Sequence, residues 1–168
     1  VGTGIGVGVI IDDRLLHGAM HPEAGHMRIP CVAEDSFAGV CPFHGDCLEG
    51  LASGPAIKER WQVGSALELS ESHQAWDWEA QYLAYAIANY TLCYSPKRII
   101  LGGGVMRQPK LLERIVPKVR DCLNGYVQND YVCCTEKYIV AARLGDNAGI
   151  AGALALAERA CRSYGLAV

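Results

Sequence analysis

Residues 21–50 read HPEAGHMRIPCVAEDSFAGVCPFHGDCLEG, and they hold three of the five histidines and three of the eight cysteines in the chain. Two residues separate Cys41 from His44 and two separate His44 from Cys47, while His26 lies fifteen positions before Cys41. A Cys-x-x-His-x-x-Cys knuckle turns tightly enough to aim its side chains at one point, and two thiolates with two imidazoles form a tetrahedral zinc set. Because four protein ligands close the coordination shell, the spacing predicts a structural zinc ion rather than a hydrolytic one.

Other residues of this region leave alternatives open. His21 and Cys31 are rival ligands, whereas His17 is expected to be a solvated loop residue. The pattern also fits a pair of buried cysteines with two surface histidines. Glu23 and Glu49 flank the loop, and two carboxylates fixed on one rigid knuckle would accept hydrogen bonds from adjacent sugar hydroxyls. Two exposed loop acids without a ligand are the simpler interpretation of the same pair.

The 168 residues fit one domain that is long enough to bury a core. A net charge of -3 with no basic run argues against nucleic acid as a partner. No apolar window reaches the ~18 residues of a membrane span, and the first residues lack the basic leader of a secretory signal. Three cysteines within helical or strand patterns are expected to be small core residues (Cys93, Cys122, Cys161). We therefore expect a reduced, cytoplasmic protein with no membrane partner.

Hydrophobic periodicity predicts an α/β chain with a mixed sheet, in which an antiparallel hairpin is joined by parallel crossover strands. The hairpin runs from Gly8–Ile11 through a turn at Asp12–Asp13 to Arg14–His17. The remaining predicted elements are, in order, a short strand at His26–Ile29, a helix from Ser53, a helix at Trp78–Tyr94, a strand within IILGGGV, a helix at Pro109–Asn124 ending at Gly125, a strand at Tyr138–Leu144 and a helix at Ala148–Cys161. The last helix is apolar on most sides and is predicted to be buried. Because Val1 stands within the first predicted strand, an upstream part is expected to be absent.

Two glycine clusters are candidate ligand loops. Gly2, Thr3 and Gly4 begin a run in which backbone N–H groups can approach a phosphate without a Cβ in the way, although a plain hairpin turn explains the run equally well. The run is neither a Walker loop nor a dinucleotide fingerprint. A second cluster, Gly102–Gly104, ends a predicted strand, which is where α/β sheets bind ligands. A tight turn from strand to helix is the alternative interpretation.

Taken together, five stretches resemble the C-terminal half of the ROK family (repressors, open reading frames and kinases). They are GTGIGVGVI, HGAMHPEAGHM, CPFHGDCLEGLASGPAI, IILGGGVM and LGDNAGIAGALALA. The resemblance runs from Val1 to about Ala157, and the CPFHGDC form is similar to the bacterial fructokinase branch. It implies the second lobe of an actin/hexokinase-like protein: a ribonuclease H-like mixed sheet flanked by helices, with a zinc-binding loop inserted at residues 21–50. Residues 1–168 would be the C-terminal lobe of a two-lobed sugar kinase whose upstream lobe is missing.

The resemblance also implies an activity. ATP would phosphorylate a hexose, with Mg²⁺, and the expected reaction is fructose to fructose 6-phosphate. By position, Gly2, Thr3 and Gly4 match the loop that contacts ATP phosphates, and Gly103 and Gly104 match glycines on the adenosine side. Relatives would form homodimers, and the aromatic helix at Trp78–Tyr94 carries surface for such a contact.

The resemblance assigns the loop residues in the same way. Glu23, His26 and Glu49 match sugar-contacting residues, and His26 also matches a zinc ligand, completed here by Cys41, His44 and Cys47. Most relatives use three cysteines, and the histidine at position 44 follows the fructokinase-like branch.

The general base is expected to be an aspartate of the upstream lobe, so no catalytic residue is assigned in this chain and the 168 residues alone are expected to be inactive. Two rival functions remain. One is a sugar-sensing transcriptional repressor of the same family, which upstream sequence would distinguish by a helix-turn-helix instead of a phosphate loop. The other is a zinc-stabilised binding module without catalysis.

Overall fold

The computed structural model describes residues 1–133 and 135–163, so residues 134 and 164–168 of the predicted domain lie outside the described part. The strands are β1 Ile10–Ile11, β2 Arg14–Leu15, β3 Ile99–Leu101 and β4 Ile139–Ala141. The helices are α1 Leu48–Ala52, α2 Gly54–Trp61, α3 Ala75–Tyr94, α4 Leu111–Leu123, α5 Asp130–Cys133, α6 Thr135–Tyr138 and α7 Ala148–Ser163. Short 3-10 turns lie at Ala24–His26, Ala66–Glu68, Val105–Arg107 and Gly145–Asn147.

The predicted hairpin is confirmed, although each strand is only two residues long. Ile10 lies opposite Leu15 in an antiparallel pair. Asp12 and Asp13 take φ values of 50° and 59°, which is the backbone of a two-residue turn that matches the twist of a hairpin.

The predicted single mixed sheet is wrong for the described residues, which form two separate two-stranded ladders. β3 and β4 pair in parallel with Ile99 opposite Ile139, apart from the hairpin. The strand predicted at His26–Ile29 is also wrong, because the chain forms a 3-10 turn at Ala24–His26 and keeps only one bridge, from Arg28 to Cys47. A Cβ on Gly25 would lie 1.7 Å from the Ile5 carbonyl oxygen, so the chain bends here against the first segment instead of extending.

The core forms around α3, which packs against α4 and α1. Its buried face carries Trp76, Tyr82 and Ile87, and α4 contributes a face whose buried residues recur at helical spacing. These are Leu111, Ile115, Val119 and Leu123. Both helices were predicted from that periodicity, and α3 begins three residues earlier than expected. α1 was not predicted, since five residues are too few to show a period.

The prediction of a buried last helix is wrong, and so is the prediction for one cysteine. In α7, Ile150 is 67% exposed and Leu154 is 66% exposed, because the main packing partner of this helix in the described chain is the short turn before it. Cys93 is exposed at the end of α3 rather than part of the core. An apolar pattern reports what a helix can bury, not whether a partner surface is there.

Within the described ranges, no helix has both the length and the apolar run that crossing a bilayer needs.

Glu79 is an acid enclosed in this core. Its side chain on α3 is 1% exposed, and neither carboxylate oxygen has a hydrogen-bond partner among the described residues. Burial raises the pKa of Glu79 well above its usual value, and the charges of Arg60 and the N-terminal amine offset this only in part. The acid is therefore held in its neutral form over a pH range in which the unfolded chain has ionised it.

A pH dependence follows from Glu79. The native state binds one more proton than the unfolded state between the ordinary glutamate pKa and the raised one, so the free energy of unfolding falls as pH rises through that window. Each pH unit within it costs about 1.4 kcal/mol. We expect Glu79→Gln to remove this slope and to be more stable than the wild type at pH 7 but not at pH 4. Urea unfolding at several pH values measures this dependence. Equal slopes of the unfolding free energy against pH in the wild type and Glu79→Gln would contradict the assignment. Glu113→Gln, at an exposed position on α4, is the control.

Candidate metal and ligand site

The structure brings the four predicted metal ligands to one point. The ligand atoms of His26, Cys41, His44 and Cys47 all lie within 4.8 Å of one another. Both thiols are buried, His26 is half-buried and His44 is exposed on the knuckle. The turn that carries them is closed by backbone hydrogen bonds from Gly45 N to Cys41 O (2.9 Å) and from Cys41 N to Gly45 O (3.2 Å).

The distances within this group fit a tetrahedral ion. The Cys41 Sγ lies 3.6 Å from the Nδ1 atoms of His26 and His44, and the Cys47 Sγ lies 3.6 Å from Nδ1 of His26. Zinc bonds of about 2.3 Å to sulfur and about 2.0 Å to nitrogen imply ligand separations of roughly 3.3–3.8 Å in a tetrahedron. The donor set is therefore both soft enough and compact enough for zinc.

The two thiols differ in acidity. Burial acts to raise the pKa of Cys41, but backbone amides of the knuckle, at Phe43 and His44, and the neighbouring side chains outweigh it and bring the pKa to about 6. Burial raises the pKa of Cys47. One thiolate is thus available near neutral pH, and a divalent cation would supply the charge that stabilises the second.

The rival ligands do not join the group. His21 and Cys31 are exposed, and the His21 ring lies against that of His17 with centroids 5.4 Å apart. His17 is exposed as well, in agreement with the prediction of a solvated loop residue.

Glu49 connects the metal group to the glycine run. One oxygen, Oε1, lies 3.8 Å from Nε2 of His26, and the other accepts a hydrogen bond of 2.8 Å from the backbone of Ile5. The His26 ring therefore faces the thiols with Nδ1 and a carboxylate with Nε2, an arrangement that fixes the orientation of a metal-binding histidine. A Cβ at Gly4 would lie 2.7 Å from the same carboxylate, so a side chain at position 4 would push the end of the Glu49 side chain aside.

Glu23 is placed differently from Glu49. Its carbonyl oxygen accepts a hydrogen bond of 2.9 Å from the His26 backbone, which ties the 3-10 turn together. Its side chain is exposed and makes no hydrogen bond or ion pair with the described residues. The Glu23 carboxylate is therefore close to the metal group in sequence but is exposed to solvent.

The two glycine clusters meet each other. The Val1 amine donates to Gly102 O (2.6 Å), Val105 N donates to Val1 O (3.2 Å) and Gly54 N donates to Gly2 O (2.7 Å). Gly103 has a φ of +99°, and a Cβ there would lie 2.3 Å from the Val1 carbonyl oxygen. Thr3, Gly4, Gly103 and Gly104 are exposed on this junction. Sequence proximity could not show the pairing, since about a hundred residues separate the two clusters.

A cleft of about 350 Å³ opens on the far side of the second cluster. Its walls are mostly glycine and alanine, with Arg107 and Asp146 forming an exposed ion pair beside it. The full set of lining residues is Leu101, Gly102, Gly103, Gly104, Met106, Arg107, Ala141, Ala142, Gly145, Asp146, Ala148 and Gly149. The residues at 145–149 were missed as site residues, although a Gly-Asp-Asn-Ala-Gly run at a helix start is a signal that could have suggested them.

Comparison with known proteins finds relatives of this chain. The chain is 45% identical over 161 residues to a fructokinase of Zymomonas mobilis, covering 94% of this chain and 52% of that protein. It is 42% identical over 164 residues to a fructokinase of Pediococcus pentosaceus, covering 97% of this chain and 55% of that protein. The chain thus spans about half the length of the curated relatives it matches.

A solved structure of known fold is also similar to this chain. A ROK hexokinase from Thermus thermophilus superimposes with a TM-score of 0.71 at 27% identity, over 91% of this chain and 53% of that one. The fold is therefore of the actin/hexokinase-like kind expected from the sequence. The family model described as "ROK family" matches residues 1–160. On the combined evidence of that match, the relatives and the fold, the chain belongs to the ROK family.

Proposed function

We propose that the protein containing this chain is an ATP-dependent hexose kinase with fructose as its preferred substrate. The observation that carries the proposal is the meeting of three loops: Glu49 contacts the glycine run at Ile5 and the loop histidine His26, and the glycine run rests on Gly103. A kinase needs to hold a phosphate donor beside a sugar hydroxyl, and phosphoryl transfer depends mainly on that positioning. The relatives named fructokinase support fructose over other hexoses.

The roles of the residues follow from their environment. Gly2, Thr3 and Gly4 would form the loop that contacts the ATP phosphates, with Mg²⁺ accompanying the nucleotide. Thr3 and Gly4 are exposed, whereas the Gly2 N–H donates to Gly4 O (2.9 Å) and would hold the loop in shape. Gly103 and Gly104, at the rim of the cleft, would lie on the adenosine side. At the four glycines of this set, no Cβ lies between the backbone and a ligand.

The sugar would lie against the three residues of the metal loop. Glu23 offers a free carboxylate, while Glu49 and His26 are already oriented by Ile5 and by each other. Carboxylates can accept hydrogen bonds from adjacent hydroxyls in pairs, which distinguishes one hexose from another by hydroxyl placement.

Zinc would be structural. His26, Cys41, His44 and Cys47 would close a four-coordinate shell and leave no position for substrate. The ion would cross-link the loop so that the sugar-facing residues keep fixed positions. No step of the transfer passes through it.

The chain would act as the C-terminal lobe of a two-lobed enzyme, with the general base on the upstream lobe. The aspartates near the site support this, because each already has another role: Asp46 pairs with Arg28 at 2.8 Å and Asp35 is buried against Arg60. Asp12 and Asp13 form the hairpin turn. The exposed apolar face of α7 supports a contact with that lobe. The homodimer stays a prediction, since Tyr82 and Trp76 are buried within the chain and Trp78 packs against Trp61.

The test uses two proteins. The complete reading frame, supplied with ATP, Mg²⁺ and a panel of hexoses, is expected to form fructose 6-phosphate fastest. The 168 residues alone are expected to bind zinc but to show no turnover, because the base and the other phosphate loop would be on the upstream lobe. Sugar-dependent ADP formation by the isolated chain would contradict the two-lobe assignment. A complete protein that binds zinc but no nucleotide would instead favour a zinc-stabilised binding module.

A further inference from the structure

A buried polar cluster anchors the middle of the metal loop, away from the four ligands. Asp35 and Arg60 have side chains that are 2% and 5% exposed, and Arg60 Nε lies 3.0 Å from Asp35 Oδ2. Tyr82 on α3 donates a hydrogen bond of 2.5 Å to the same oxygen. The Arg60 guanidinium lies over the ring of Phe37 at 4.6 Å and over the ring of Tyr82 at 5.4 Å. We call Asp35, Arg60 and Tyr82 the loop clamp.

The clamp also fixes the loop backbone. Asp35 Oδ1 accepts a hydrogen bond of 3.0 Å from Phe37 N, and Tyr82 Oη accepts one of 3.3 Å from Val32 N. Residues 32–37 are thereby joined to α2 and α3 between the first ligand, His26, and the second, Cys41. The loop is held in its middle by side chains that do not touch the metal group.

Stability alone is a weak explanation for such a cluster. A buried ion pair costs desolvation that its attraction barely repays, and an apolar replacement of similar volume is often as stable. Here the arginine is also incompletely paired: the Nε contact lies off the hydrogen-bond direction, and Nη2 has no hydrogen-bond partner among the described residues. What the clamp does supply is one defined path for the loop, because planar guanidinium, carboxylate and phenol groups fit together in few orientations.

We propose that the loop clamp is a positioning device that pre-organises the metal centre. With residues 32–37 fixed to the helices, His26 and Cys41 are held near each other before an ion arrives, and less chain entropy is lost when it binds. Asp35, Arg60 and Tyr82 are positioning residues, since they act on the ligands through the loop. The inference rests on the proposed zinc centre.

The central test is a double variant that separates stability from positioning. Asp35→Leu with Arg60→Met replaces the ion pair by apolar side chains, which for the pair itself is close to neutral. The variant is expected to stay folded with a lower unfolding midpoint, because Phe37 N and the Tyr82 hydroxyl lose their acceptor. Its zinc affinity, measured by competition with 4-(2-pyridylazo)resorcinol, is expected to fall by about 10- to 100-fold, the usual effect of changing groups that orient metal ligands. Tyr82→Phe, which removes only the hydroxyl, is expected to lower affinity by a smaller factor. Lys110→Met, which breaks an exposed ion pair with Glu71, is the matched control and should change nothing.

Two further measurements report positioning directly. The visible spectrum of the cobalt-substituted double variant is expected to shift from that of the wild type, because the ligand geometry changes. Amide hydrogen exchange at residues 32–37 of the metal-free chain is expected to be slow in the wild type and fast in the variant. A folded double variant with wild-type zinc affinity and an unchanged cobalt spectrum would overturn the clamp. A wild-type chain that binds no zinc would overturn the metal centre itself. In that case the exchange rates at residues 32–37 would still show whether the loop clamp fixes this part of the loop.

Discussion

Cys47→Ser is expected to weaken zinc binding by about 10²- to 10³-fold and, with it, sugar binding by the proposed kinase. Cys47 is fully buried at the start of α1, and its Sγ lies 3.6 Å from Nδ1 of His26. A serine hydroxyl fills similar space but is not a zinc ligand in such sites. Structural zinc sites contribute about 10–16 kcal/mol in small domains, so one of four ligands carries about 3–4 kcal/mol, or roughly 10²- to 10³-fold in affinity.

The effect on sugar follows from the two neighbours of Cys47. Glu49 lies two residues further along α1, and its partner His26 is itself a ligand, so loss of the ion loosens both members of the pair at once. The glycine run is fixed by further backbone contacts, from Gly54 to Gly2 and from Val105 to Val1. We therefore expect the KM for fructose to rise by a larger factor than the KM for ATP.

Metal analysis of the chain and fructose titration of the complete protein measure the two effects. Cys93→Ser is the matched control, because Cys93 is an exposed free cysteine at the end of α3 and should leave both unchanged. A chelator applied to the wild-type protein should reproduce the Cys47→Ser phenotype. One zinc per chain held by Cys47→Ser with wild-type affinity would exclude this ligand, and unaltered fructose binding by a folded metal-free protein would exclude the coupling.

The sequence predicted best what depends on local spacing. The knuckle at Cys41–Cys47 follows from two-residue gaps that a tight turn can close, and the predicted fourth ligand His26 meets it in the structure. The helix faces of α3 and α4 follow from the helical period. The helix predicted to start at Ser53 does so, and the Ser53 hydroxyl accepts from Ala56 N. In each case the interacting residues are close in sequence or repeat at a fixed interval.

Contacts between distant segments left no such signal. Glu49 bonds to a backbone amide 44 residues earlier, and Tyr82 bonds to Asp35 across 47 residues. Nothing in either local sequence distinguishes these side chains from exposed ones, so neither contact was predicted. The last helix was predicted to be buried for a related reason: apolar composition shows that a helix can be covered, but not which surface covers it.

Gly50→Ala is expected to destabilise the chain although general helix propensity predicts the opposite. Alanine in a helix interior is favoured over glycine by about 1 kcal/mol. At position 50 in α1, however, a Cβ would lie 1.8 Å from the carbonyl oxygen of Gly45 and 3.1 Å from Cβ of Cys41. The obstacle is backbone of the metal knuckle and not the end of a flexible side chain, so either α1 or the knuckle has to move. Overpacking of this kind costs about 3 kcal/mol, which exceeds the propensity gain.

Gly152→Ala in α7 is the matched control for this prediction. Nothing lies within 4 Å of a Cβ built there, so propensity acts alone and the free energy of unfolding is expected to rise by about 0.5–1 kcal/mol. Urea denaturation of the two variants therefore gives changes of opposite sign for the same substitution in two helices. Because Gly45 lies between the ligands His44 and Cys47, Gly50→Ala should also weaken zinc binding, whereas Gly152→Ala should not. Equal stabilisation by both substitutions would mean that α1 does not press on the knuckle, and the coupling between the metal loop and the helix that carries Glu49 would have to be abandoned.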